Sequence, residues 1–144
     1  MVNLTRTFFV AAFALPLTLA SVCANARTIK SVTISKTGIN MNPKEEWLNN
    51  ACKKFRPTAR QVKNYFQKAY SVPRTYGTND RYAPCVASGT IVFSDLGKAE
   101  WAISSGGAGS LTWNEDDHVY LFYKNNKWFD PTACSYGAGN EGNC

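Results

Sequence analysis

With 144 residues, 16 Lys and Arg against 10 Asp and Glu, the chain has the size of one compact domain with its own core, which points away from a multidomain enzyme. The net charge of +6 comes with no nucleic-acid recognition motif, and no apolar run reaches the roughly 20 residues a membrane-spanning helix takes.

Residues 1–26 read as a cleaved secretory signal. Arg6 precedes an apolar run from Phe8 to Leu19, and Ala24-Asn25-Ala26 supplies the small-residue cleavage pattern. Cleavage after Ala26 leaves residues 27–144 as a single small α+β domain; a cut after Ala24 is the near alternative. Val22 stands where a lipoprotein signal places a small residue, which argues against lipidation of Cys23. The expected location is the periplasm or the exterior.

Thr28 to Ser35 places Val32 and Ile34 two apart among polar neighbours, the pattern of a short edge strand. Asn42-Pro43 then offers a helix N-cap and a first-turn proline, with Glu45 and Glu46 suited to the positive helix end. Trp47, Leu48, Ala51, Cys52 and Phe55 follow at helical spacing, so a first helix is predicted over residues 43–54. Thr58 and Gln61 form a T-x-x-Q capping box ahead of Val62, Tyr65, Phe66, Ala69 and Tyr70, which share one helical face. Pro73 ends this second helix, and residues 74–84 read as a loop.

From residue 90 onward the pattern is β. Thr90 to Phe93 turns at Asp95-Leu96-Gly97-Lys98; Trp101 and Ile103 alternate up to a hairpin turn at Gly106-Gly107; Leu111 and Trp113 alternate up to Asn114-Glu115-Asp116-Asp117. Val119, Leu121 and Tyr123 form one face of the next strand and His118, Tyr120 and Phe122 the other, before Asn125-Asn126 turns into Lys127-Trp128-Phe129. Short sequential strands joined by tight turns imply an antiparallel meander. The predicted fold is therefore α+β: two N-terminal helices on one face of a meander of four to five strands, stapled by disulfides.

Four cysteines follow the signal: Cys52, Cys85, Cys134 and Cys144. In an oxidising compartment an even set most economically forms two disulfides, with three pairings open. Chain proximity favours Cys52–Cys85 and Cys134–Cys144. The absence of C-x-x-C spacing argues against zinc, and neither a metal nor a cofactor is expected.

The cysteines also belong to a wider pattern: Cys52-x-x-Phe55, Thr58-x-x-x-Val62-x-x-x-Phe66-x-x-Ala69, Pro84-Cys85, Gly89, Trp101-x-Ile103 and Gly106-Gly107. In this the chain resembles a family of small exported proteobacterial proteins with no established activity. The resemblance implies export, the cysteine framework and a helix-then-sheet order, and it implies no catalytic residue.

Chemistry is sparsely signalled. His118 is the single histidine, no G-x-S-x-G elbow surrounds a serine, and the glycines of Ser105 to Ser110 are followed by a strand where a phosphate loop requires a helix. A carboxylate pair of Glu100 and Asp130 is conceivable for glycoside chemistry, although the spacing does not select it. Charge is split: residues 27–81 hold 12 Lys and Arg against three acids, and residues 82–144 hold three Lys against seven acids. Such asymmetry steers charged partners to one side.

The expected function is that of a non-enzymatic protein-binding domain, an inhibitor or immunity protein acting on an envelope-targeting enzyme. Its candidate contact residues are Glu115, Asp116, Asp117, His118, Tyr120, Phe122 and Trp128, with Tyr120 and Phe122 forming an outward aromatic patch unless residues 133–144 fold back over them. Two alternatives stay open. One is a small hydrolase using His118 or the carboxylate pair. The other is an envelope module meeting anionic lipid or glycan through Lys53, Lys54, Arg56, Arg60, Lys63 and Lys68.

Overall fold

The computed structural model describes residues 28–114 and 116–135. The expected signal segment (residues 1–26), Glu115 and Cys144 lie outside them.

Alternation of apolar and polar residues builds one six-stranded antiparallel sheet. Its strands are β1 (Ile29–Asn40), β2 (Tyr70–Ser71), β3 (Cys85–Phe93), β4 (Gly97–Ser104), β5 (Ala108–Thr112) and β6 (His118–Phe122). They lie in the order β1-β3-β4-β5-β6-β2, so the meander β3 to β6 is flanked by one early strand on each edge. Between β1 and β2 the chain forms α1 (Glu46–Cys52) and α2 (Ala59–Lys68), crossing the sheet from one edge to the other. Gly97 (φ 72°) and Gly107 (φ 92°) supply the left-handed backbone that the β3–β4 and β4–β5 turns need.

The register Gly89↔Trp101↔Leu111↔Val119 sets the two faces of the sheet. On one face Cys85, Ala87, Ile91, Phe93, Ala99, Trp101, Ile103 and Leu111 pack with Leu48, Cys52, Phe55, Val62 and Tyr65 to make the core. The other face is mostly polar and small-chained, with Val86, Val92, Tyr120 and Phe122 as its larger apolar and aromatic members. Gly109 is the contact that lets α2 sit close: a methyl there would come within 2.8 Å of the Tyr65 hydroxyl. That hydroxyl donates to the Leu121 carbonyl at 3.2 Å, fastening the helix to β6.

The α2 capping box is present as predicted, with the Thr58 side chain accepting from Gln61 N and the Gln61 side chain accepting from Thr58 N. The first helix differs. It begins at Glu46 rather than Pro43, because Asn42 spends its carbonyl on a turn to Glu45 N and its own N–H on the Asn40 side chain. The helices also lie between strands of the sheet rather than ahead of all of them. Residues 29–40 form a strand of twelve residues, residues 127–129 after the Asn125-Asn126 turn add no strand, and Tyr70 leaves the helix to pair with Phe122. A π-helical turn at Tyr76–Asp80 occupies the predicted 74–84 loop.

Cys52 and Cys85 are disulfide-bonded, joining the end of α1 to the start of β3, and both are fully buried. Cys134 is also disulfide-bonded; its expected partner Cys144 lies outside the described residues.

Candidate functional site

In a meander every second turn falls at the same end of the sheet. The β3–β4 turn brings Asp95 and Leu96 there, and the β5–β6 turn brings Trp113, Asn114, Asp116 and Asp117. The second turn is pinned from within: Asp116 N donates to Asn114 Oδ1 at 3.2 Å, and Trp113 N donates to the Asp117 carbonyl at 3.1 Å. Asp95, Asp116 and Asp117 are exposed, as are Glu100 and His118 just behind them.

Trp113 is the centre of this end. Its ring packs against Phe93 with centroids 6.1 Å apart, and its Nε1 is buried with no hydrogen-bond partner among the described residues. Concavities lie on both sides of it. One, of about 570 Å³, opens on the polar face between Lys98, Glu100, Thr112 and His118. The other, of about 260 Å³, opens toward Leu96, Asp117 and Val119. Leu96 is 38 % exposed, so an apolar side chain stands beside the carboxylates.

The expected contact residues do not form one surface. Asp116, Asp117 and His118 come together at the acidic end. Tyr120 lies further along the same face, half-buried, with the Arg74 guanidinium 6.0 Å from its ring. Phe122 is only 2 % exposed and is no part of an open aromatic patch: Tyr76 (4.9 Å), Tyr70 (5.9 Å) and Arg81 (5.7 Å) cover it. Trp128 packs against Phe55 and Tyr65 on the helix-covered side and donates from Nε1 to the Ser105 carbonyl at 2.8 Å. It closes the core at the far end of the sheet.

The arrangement around His118 bears on hydrolytic chemistry. His118 Nδ1 and Thr112 Oγ1 are 3.0 Å apart, and the registers Glu100↔Thr112 and Thr112↔His118 set the three in one row. A hydroxyl–imidazole–carboxylate relay needs the carboxylate on the imidazole's other side. Here strand order puts Glu100 beyond the hydroxyl. Asp130 accepts at Oδ1 from both Thr132 N and Thr132 Oγ1 at 2.9 Å, so this carboxylate fixes a local turn. Among the described residues no group of three or more His, Cys, Asp or Glu is placed to hold a metal ion.

Leu96, Trp113 and Lys98 were not singled out by residue patterns, although alternate turns of a meander converge by construction. That convergence was the available signal. Comparison with protein-family models, curated proteins and solved structures found no match.

Proposed function

We propose that this protein is a small exported binding domain that engages a basic surface of another envelope protein through the acidic end of its sheet, as an inhibitor or immunity protein does. The observation that supports it best is the convergence of exposed Asp95, Asp116 and Asp117 with Leu96 and Trp113 on two turns held in place by the sheet. An apolar centre with a predominantly acidic rim, Lys98 being a cation beside it, has the anatomy of a protein contact, where rim charge raises association rate and selects the partner. Export is part of this reading. It is supported by the pattern of residues 1–26 and by the Cys52–Cys85 disulfide, which an oxidising compartment maintains. Among the described residues no helix is long and apolar enough to cross a membrane.

The test is capture from envelope extracts with the oxidised protein and, in parallel, with an Asp116→Asn/Asp117→Asn variant. A single protein retained by the first and lost by the second at low salt is the expected outcome. Equal retention by both would remove the acidic end from the account.

A further inference from the structure

A third concavity lies at the opposite end of β6 from the acidic turn. It is about 500 Å³ in volume and runs between α2 and residues 123–127. Arg60, Asn64 and Lys68 recur every four residues and so form one stripe along α2; Tyr123, Asn125 and Lys127 form the facing wall. Three cations thus line a hollow that has no carboxylate among its described lining residues.

Both walls are held in place. Gln61 Nε2 donates to the Lys127 carbonyl at 2.7 Å, tying the loop to the helix. Asn126 Nδ2 donates to the Tyr123 carbonyl at 3.1 Å, fixing the turn. Tyr123 packs edge-on against Tyr65, and the Lys68 ammonium lies 6.0 Å from its ring. The backbone that carries the cations is therefore held before any ligand arrives, and a concave site focuses their field.

We propose that this cleft binds an anionic saccharide, a sugar ring bearing a carboxylate or a phosphate. Arg60, Lys68 and Lys127 meet the charge, the Asn64 and Asn125 amides exchange hydrogen bonds with hydroxyls, and Tyr123 offers an aromatic wall to the ring. The volume suits a short saccharide of one to three sugar rings. A membrane surface fits less well, because none of the exposed large apolar side chains (Met41, Trp47, Tyr70, Leu96, Phe129) lines the hollow.

The experiment is a titration of the oxidised ¹⁵N-labelled protein with trigalacturonate, glucose 1-phosphate, maltotriose and inorganic phosphate. At least one of the two anionic sugars is expected to shift the amides of Tyr123 and Asn125, and which one does identifies the charged group. Maltotriose and inorganic phosphate are each expected to bind at least ~10-fold more weakly, because each lacks one half of the recognition. Arg60→Gln and Lys68→Gln should each weaken the sugar by roughly 10-fold through loss of a charge-assisted contact. Lys63→Gln, on the same helix but outside the cleft, should leave affinity unchanged. Absence of binding by both anionic sugars overturns the proposal. So does maltotriose or phosphate binding as tightly as the best sugar, or an equal loss in the Lys63 variant.

Discussion

Tyr65 joins α2 to the sheet and to the aromatic core through several contacts. It lies over Gly109, donates to the Leu121 carbonyl, and packs edge-on against Phe66 and Tyr123 and tilted against Trp128. Burial pushes its phenol well above the ordinary value of 10.0, because the charged form would be desolvated. In the unfolded chain the same group ionises near its ordinary value. Its contribution to stability is therefore fully present below about pH 10 and is lost above it, at up to ~1.4 kcal/mol per pH unit. An alkaline denaturation series should accordingly show a steeper loss above pH 10 for the natural protein than for Tyr65→Phe. The same variant should be about 1 kcal/mol less stable at pH 7, having left the Leu121 carbonyl without that donor. Gly89 is constrained by crowding: a methyl there would overlap the Thr33 carbonyl of β1 and meet Trp101 Cζ2 at 2.9 Å. Gly89→Ala should cost about 3 kcal/mol in a urea melt, since neither strand can withdraw without breaking the ladder.

At the scale of elements, α2 is specified locally and α1 is not. The capping box and the apolar stripe of α2 lie within its own sequence, and substituting Thr58 by Ala should cost ~1 kcal/mol in thermal unfolding. The shorter α1 has no side-chain cap and ends at the disulfide. That bond closes a loop of 33 residues, so Cys52→Ala/Cys85→Ala should lose about 4 kcal/mol relative to the oxidised protein on the chain-entropy account. Equal denaturation midpoints for the two proteins would contradict that role. The same contrast explains what the amino-acid pattern made legible. The α2 cap, the glycine turns and the β3–β6 meander all follow from short-range signals, whereas the Cys52–Cys85 pairing spans 33 residues and was one of three open pairings. Three features depend on partners far along the chain. Residues 36–40 continue as strand only because β3 pairs with them, Tyr70 becomes strand only because Phe122 is opposite, and Phe122 is buried only because the turn at Tyr76–Asp80 folds over it. The acidic residues Asp116 and Asp117 were visible as a turn, whereas their grouping with Leu96 and Trp113 required strand order.

Across the whole molecule the sheet separates opposite charges. Acidic turns collect at the end where β6 begins, while the cations of α2 and Lys127 surround the hollow beyond its last residue. An attractive partner contact at one end thus leaves the other free, and partner binding should weaken as salt screens the acidic end. The central claim is that this acidic end is where another protein docks. The most direct measurement places a photo-crosslinking amino acid at Leu96 or, in a separate protein, at Met41. Both positions are exposed, and Met41 sits at the opposite end of the sheet, hydrogen-bonded to the residue before β3. After irradiation in envelope extracts, a single covalent adduct from Leu96 and none from Met41 is the predicted result. An adduct from Met41 alone, or none from Leu96, would contradict it.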